Sequence, residues 1–112
     1  MPAEADRAAL SDIVEYADRI TRHATDPAVL DDELAQAGIL RWLGVVGEAA
    51  SRVSPELRDR HPDVPWRQII AMRNILVHVY DQVDVRLVWA AVERLPDLIA
   101  KVKAIVDELS GP

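Results

Sequence analysis

The fold is decided by residues 28–53, which read AVLDDELAQAGILRWLGVVGEAASRV. Apolar residues recur in this segment at helical spacing, and they lie on more than one side of the helical wheel. Such a helix needs neighbours on several sides, so we expect it to be the central helix of the domain. Gly44 and Gly47 stand inside it, although each costs roughly 1 kcal/mol relative to alanine. We therefore expect a neighbouring helix to approach closely at these glycines.

The segments on either side of this helix continue the helical pattern. An amphipathic first helix is predicted from about Ala3 to Ala24. It ends at Asp26-Pro27, because the residue before a proline is displaced from helical geometry. After the central helix, Ser54-Pro55 is typical of an N-cap followed by proline at the first helical position. It predicts a short helical turn through Leu57 that stops before His61-Pro62.

Two further helices follow in the second half of the chain. Asp63 is the predicted N-cap of a third long helix, whose apolar series extends over residues 66–79. Asp84 is the predicted N-cap of the last helix, which should be kinked by Pro96 because proline lacks an N–H group and crowds the preceding turn. Gly111-Pro112 is a stop signal. No hairpin turn or sustained alternation indicates a strand, so the sequence predicts an all-α, up-and-down bundle of four main helices plus a short helical turn.

Composition limits the class of protein. The chain has 112 residues, of which 50% are hydrophobic and 29% charged, as expected for a single globular domain spanning residues 1–112. It contains no cysteine, which excludes disulfides and thiolate metal sites and is typical of a reducing, cytoplasmic setting. No apolar run approaches the roughly 20 residues that span a bilayer, so no membrane association is expected. The net charge of −6 opposes bulk electrostatic binding of nucleic acid, and any contact with RNA must therefore be local.

Residues 66–80, WRQIIAMRNILVHVY, carry the most informative side chains. On a helical wheel, Arg73, Asn74 and His78 fall on one broad polar face, and Tyr80 lies about 20° from the direction of Arg73. The opposite, apolar arc consists of Ile69, Met72, Ile75, Leu76 and Val79. The segment is therefore predicted to turn one side towards the core and to present a guanidinium, an amide and an imidazole on the other.

Arg73, His78 and Tyr80 follow the pattern Arg-x4-His-x-Tyr, and here the sequence resembles the HepT-like family of the HEPN superfamily. The resemblance extends over roughly residues 35–100. It includes further landmarks of that family in order, namely Gly47-Glu48-Ala49-Ala50, Ser54-Pro55-Glu56-Leu57, Pro65-Trp66, Val88-Trp89 and Leu95-Pro96.

The resemblance implies a ribonuclease toxin that is paired with a nucleotidyltransferase antitoxin. It also implies a homodimer or larger assembly in which two motif helices face each other across a cleft. Arg73 and His78 are then the catalytic residues, and the antitoxin transfers AMP onto Tyr80. Asn74 would orient His78 or the substrate. No metal or other cofactor is expected, because two copies of His78 would supply both a base and an acid.

A second interpretation remains open. The chain would then be a non-catalytic helical binding module that docks a nucleotidyltransferase or its substrate. Glu48 has two readings of equal weight, as a solvent-facing charge or as a partner of Arg73 or His78. His23 and His61 are expected at the surface near helix ends, with no metal-ligand spacing.

Other basic and aromatic residues have simpler interpretations. Five arginines are either solvated or form a local basic rim for RNA: Arg41, Arg52, Arg58, Arg60 and Arg67. Trp42, Trp66 and Trp89 recur on apolar helix faces, so core packing is favoured over stacking on nucleobases.

Overall fold

The computed structural model describes residues 2–75 and 84–111, and within them it contains helices and no strand. The all-α class predicted from the sequence is confirmed. The α-helices are α1 (Pro2–His23), α2 (Glu33–Ser51), α3 (Pro55–Arg60), α4 (Trp66–Ala71) and α5 (Val85–Ser110). Short 3-10 helices span Pro27–Asp31, before α2, and Met72–Ile75, after α4.

Helix α2 is the centre of the packing, as its apolar pattern predicts. It contacts α1, α4 and both 3-10 helices, while α1 also packs along α5. All five α-helices contribute fully buried side chains to the core, among them Leu10, Leu43, Leu57, Ile69 and Leu95. None of the helices in the described part of the chain is long and apolar enough to cross a membrane. The up-and-down order of the helices stays a prediction.

Several predicted helix ends are confirmed. Helix α1 ends at His23, before Asp26-Pro27. Ser54 caps α3 by accepting a hydrogen bond from the Leu57 amide at 3.3 Å, and α3 runs through Leu57 to Arg60, so it stops before His61-Pro62 as predicted. The Asp84 side chain caps α5 by accepting from the Arg86 amide at 3.1 Å. Ser54 and Asp84 therefore cap their helices as their residue types predict.

The predicted start of the central helix at Ala28 is wrong. Residues 27–31 form a separate 3-10 helix, and α2 begins only at Glu33. Two aspartates cause the division. The Asp26 side chain accepts from the Ala28 amide at 2.8 Å, and the Asp32 side chain accepts from the Ala35 amide at 2.9 Å. Because Asp32 has extended backbone angles, it ends one helix and caps the next.

The predicted cap of the third helix is also wrong. Pro65, and not Asp63, is the N-cap of α4, and no side chain bonds to its first amides. The Trp66 amide donates instead to the Val64 carbonyl at 2.8 Å, within the tight turn that follows α3. That turn leaves Asp63 outside the helix, where its carbonyl accepts from the Lys101 Nζ at 3.0 Å.

The two long C-terminal helices differ from expectation in their continuity. The third helix is α-helical only to Ala71 and continues as a 3-10 helix to Ile75; the rest of its predicted length lies outside the described residues. Helix α5 continues through Pro96 without a break, so this proline does not divide it. The kink predicted at Pro96 stays a prediction.

A buried carboxylate joins α1 to the corner between α2 and α3. Asp6 is 5% exposed, and its two oxygens accept from the Ser54 amide at 2.8 Å and from the Ser54 hydroxyl at 2.7 Å. Both oxygens thus have a donor, which is the condition for burying a carboxylate at acceptable cost. Since Ser54 also caps α3, one hydroxyl connects the first helix to the third.

Candidate functional site

The candidate site lies where α2 crosses the end of α4. A Cβ atom built on Gly47 would lie 2.6 Å from the backbone nitrogen of Arg73 and 2.9 Å from the carbonyl oxygen of Ile69. Only a glycine allows two backbones to approach this closely. The close approach predicted at Gly47 is therefore confirmed. Gly44 is buried, and a close approach there stays a prediction.

This crossing positions the guanidinium of Arg73. Its Nη1 donates to the Glu48 Oε2 at 3.3 Å, and Glu48 directly follows the glycine of the crossing. The side chains are 46% and 59% exposed, respectively. Glu48 is thus a partner of Arg73 and is also exposed to solvent, so the structure agrees with both interpretations of this residue. An ion pair this exposed adds little stability, so its consequence is the orientation of the guanidinium.

Asn74 and the apolar neighbours of Arg73 occupy the sides predicted for them. Arg73 and Asn74 are exposed, whereas Ile69 and Met72 are buried. The polar and apolar arcs are therefore confirmed in the described part of the motif helix. His78 and Tyr80 lie outside the described residues, and their distances from Arg73 remain predictions.

The exposed guanidinium has the chemistry of an anion site. Arginine carries five N–H donors in a planar fork, and the described contact with Glu48 uses one. A phosphate presents oxygens that match this fork and form charge-assisted hydrogen bonds with it. Because the backbone under Arg73 is held against Gly47, the base of this side chain is fixed while its end faces solvent.

The five arginines that the sequence left as either solvated residues or a basic rim have different surroundings. Arg58 and Arg67 line one cavity between α3 and α4. Arg52 instead pairs with a carboxylate of α1 at 3.0 Å, and Arg41 and Arg60 are exposed. The sequence identified all five arginines, but the placement of Arg58 and Arg67 in one cavity depends on the angle between α3 and α4.

The tryptophans have the core role predicted for them. Trp66 is 8% exposed and donates from Nε1 to the His61 carbonyl at 3.0 Å. Trp42 and Trp89 are partly buried against the core. His23 is exposed, as expected, and its ring lies 5.4 Å from that of Trp42.

His61 is less exposed than expected. Its side chain is 18% exposed, and its Nε2 lies 3.6 Å from the Glu108 Oε2. In the part of the chain described, no three His, Asp or Glu side chains come together as a metal site would require.

Comparison with known proteins gives a consistent result over most of the chain. The family model described as "Ribonuclease HepT-like" matches residues 9–105. A Thermococcus cleftensis protein named "Probable ribonuclease HepT" is 33% identical over 93 residues, covering 82% of this chain and 84% of that protein. A Methanocaldococcus jannaschii protein named "Putative RNase MJ1216" is 28% identical over 115 residues, and the match covers 99% of this chain and 95% of that protein. No solved structure was found to match the chain.

Proposed function

Because the chain belongs to the HepT-like ribonuclease family, we propose that it cuts RNA, with Arg73 binding the scissile phosphate and His78 transferring protons. The observation that carries the proposal is the placement of Arg73. Its backbone is fixed against Gly47, and its guanidinium is exposed at the surface. The family match over residues 9–105 includes the whole Arg-x4-His-x-Tyr motif.

The proposed reaction needs no metal ion. A neutral His78 takes the proton of the ribose 2′-hydroxyl, whose oxygen attacks the adjacent phosphorus. The bond from phosphorus to the 5′-oxygen breaks, and a protonated second copy of His78 gives its proton to that oxygen. The products are a 2′,3′-cyclic phosphate and a 5′-hydroxyl. Arg73 stabilises the negative charge on the pentavalent phosphorus, and Asn74 orients His78 or the substrate.

This mechanism requires a dimer, since each chain offers one histidine in the motif. A two-fold axis places the same residue of both chains at one cleft, so base and acid come from identical positions. We propose a homodimer, or a larger assembly built from it, in which the two motif helices face each other.

Cleavage is expected to persist in excess EDTA and to leave a 2′,3′-cyclic phosphate. Neither proton transfer nor charge stabilisation in the proposed reaction uses a metal ion. The measurement is the rate of cutting of a labelled RNA with and without chelator, followed by analysis of the product ends. Loss of cutting in EDTA that returns on adding a divalent ion would contradict the histidine mechanism.

We further propose that the protein is a toxin silenced by a nucleotidyltransferase antitoxin that adenylylates Tyr80. An adenylyl group attached through a phosphodiester adds an anion. On the predicted motif helix Tyr80 lies near the direction of Arg73, so this anion would occupy the position of the RNA phosphate.

Expression of the chain alone is expected to arrest growth, and co-expression with the partner nucleotidyltransferase is expected to relieve the arrest. The intact mass of the co-expressed chain should rise by whole adenylyl units, and peptide mapping should place them on Tyr80. Tyr80→Phe is the matched variant, because it lacks only the acceptor hydroxyl. Two outcomes would rule out this mode of control. In the first, the nucleotidyltransferase relieves toxicity but adds no mass to the chain. In the second, it relieves the toxicity of the Tyr80→Phe chain as well as that of the unchanged chain.

A non-catalytic binding module is the second candidate, and two observations favour it. The net charge is −6, which repels RNA at long range. Glu48 also already contacts the guanidinium that would receive the phosphate. This function predicts a stable complex with the nucleotidyltransferase, no RNA cleavage by either protein alone and no toxicity.

A further inference from the structure

A cavity of about 440 Å³ lies between α3 and α4. Its walls combine two guanidinium groups, one carboxylate, an indole and two aliphatic side chains. The lining residues are Pro55, Arg58, Asp59, Trp66, Arg67 and Ile70. This mixture of cations and flat apolar surface differs from the aliphatic core under α2.

Arg58 is held in this cavity with unfilled hydrogen-bonding capacity. Its side chain is half-buried, and its Nε is fully buried without a hydrogen-bond partner among the described residues. Within that part of the chain, no carboxylate lies at ion-pair distance from Arg58 or Arg67. The Nε itself is covered by protein atoms and is out of reach of a ligand, so the groups that can meet an anion are the terminal Nη atoms of the two arginines. Asp59 lowers the positive charge of the walls without cancelling it.

The apolar side of the cavity is rigid. Trp66 is almost fully buried, and its Nε1 hydrogen bond to the His61 carbonyl fixes the indole. Ile70 is half-buried on the same helix, one turn further along. Trp66 therefore keeps its core role, and together with Ile70 it gives the cavity a fixed apolar wall.

One wall of the cavity belongs to the helical segment that leads to Arg73. Arg67 precedes Arg73 by six residues, which corresponds to about 10 Å along the helical axis at about 1.5 Å per residue to Ala71 and about 2.0 Å per residue in the 3-10 helix. Nucleotides are spaced by about 3.4 Å per residue along one strand of a duplex and by more in an extended strand. A strand bound at Arg73 can therefore reach this cavity within about one to three nucleotides.

We propose that this cavity binds a backbone phosphate of the RNA strand that lies about one to three nucleotides from the phosphate that is cut, with Arg58 and Arg67 as its ligands. Asp59 then accepts a hydrogen bond from a ribose hydroxyl or a base N–H group. The inference rests on the proposed function, because it assigns the bound strand to the same substrate. It accounts for local binding of RNA by an acidic protein, since the proposed phosphate contacts are concentrated on α3, α4 and the 3-10 helix that follows α4.

The test compares Arg67→Ala with Arg22→Ala, both in a His78→Ala chain so that RNA is bound and not cut. Arg22 is exposed and paired with Asp18, at the end of α1 opposite to the Asp6 contact with Ser54. Binding of a short fluorescent single-stranded RNA is measured by anisotropy over a range of salt. Arg67→Ala is expected to weaken binding about tenfold. It should also reduce the salt slope by about 0.7, the value for one phosphate contact on a single strand. Arg22→Ala should change neither quantity.

Arg58→Lys is the second variant, because it keeps the charge and removes the planar fork and the buried Nε. It should also weaken RNA binding, with thermal unfolding followed by circular dichroism to show that the chain is folded. If Arg67→Ala and folded Arg58→Lys bind RNA as tightly as Arg22→Ala, the subsite is refuted. The last measurement is the affinity of the cavity for AMP. If AMP binds as tightly as RNA and its binding depends on Arg67, the cavity is a site for a free nucleotide, and the proposal that it binds an RNA strand is overturned.

These outcomes separate the subsite from the proposed function. If the chain with His78 intact cuts RNA but Arg67→Ala does not weaken RNA binding, the proposed ribonuclease function is supported and the subsite is refuted. If the chain with His78 intact does not cut RNA but Arg67→Ala weakens RNA binding, the ribonuclease function is refuted and the RNA-binding subsite is supported.

Discussion

Arg73→Ala and His78→Ala chains are each expected to fold and to lose RNA cleavage. Removing the cation that stabilises the pentavalent phosphorus should lower the rate by about 10²–10³-fold. Removing the imidazole should lower it by about 10²–10⁴-fold, since general acid and base both come from this residue. The measurement is the single-turnover rate on a labelled RNA, with thermal unfolding by circular dichroism as the measure of folding.

Stability should hardly change in Arg73→Ala, because its described side-chain contact is an exposed ion pair with Glu48. Arg22→Ala, which removes a similarly exposed pair with Asp18, is the matched control and should cut RNA normally. Arg73→Lys separates charge from geometry, because lysine lacks the fork that holds two phosphate oxygens. An Arg73→Ala chain with full activity would place the site elsewhere in the molecule.

Gly47→Ala is expected to destabilise the protein and to reduce cleavage at the same time. The added methyl group would overlap the backbone nitrogen of Arg73 at 2.6 Å and the carbonyl of Ile69 at 2.9 Å. Neither backbone atom can move without separating α2 from α4. Overpacking of this kind costs about 1–3 kcal/mol. The separation also displaces Arg73, so the cleavage rate should fall in the fraction that remains folded.

Gly38→Ala is the matched control, because it makes the same substitution in the same helix where a Cβ meets nothing within 4 Å. Here the better helix propensity of alanine should dominate and raise stability by up to about 1 kcal/mol. The free energies of unfolding in urea should therefore change in opposite directions in the two variants. If Gly47→Ala is as stable and as active as Gly38→Ala, the close crossing does not position the site.

Much of the fold could be predicted because burial and capping leave periodic signals. The apolar sides of residues 28–53 indicated a central helix, and Gly47 indicated a close neighbour. The start of α2 was missed because apolar residues continue at helical spacing across the break. Asp32 could have revealed the break, because aspartate is a favoured N-cap residue. Its side chain accepts a hydrogen bond from the amide of Ala35, three residues later.

The candidate site was predictable in composition and less so in arrangement. The wheel placed Arg73 and Asn74 opposite Ile69 and Met72, because both arcs belong to one helix. The pairing of Arg73 with Glu48 joins residues 25 positions apart and depends on how two helices cross.

The cavity at Arg58 and Arg67 is set by the corner between two short helices. No periodic pattern records the angle of that corner. The sequence could therefore name both arginines as candidates for contact with RNA but could not pair them in one cavity.

The buried bond between Asp6 and Ser54 selects one register of α1. The apolar stripe of this helix repeats every turn, so sliding α1 by one turn would preserve much of its hydrophobic contact. Such a slip would leave the Asp6 carboxylate buried without donors, a penalty that the correct alignment avoids. Because Ser54 also begins α3, we expect a substitution of Asp6 to shift the helix that carries Arg58.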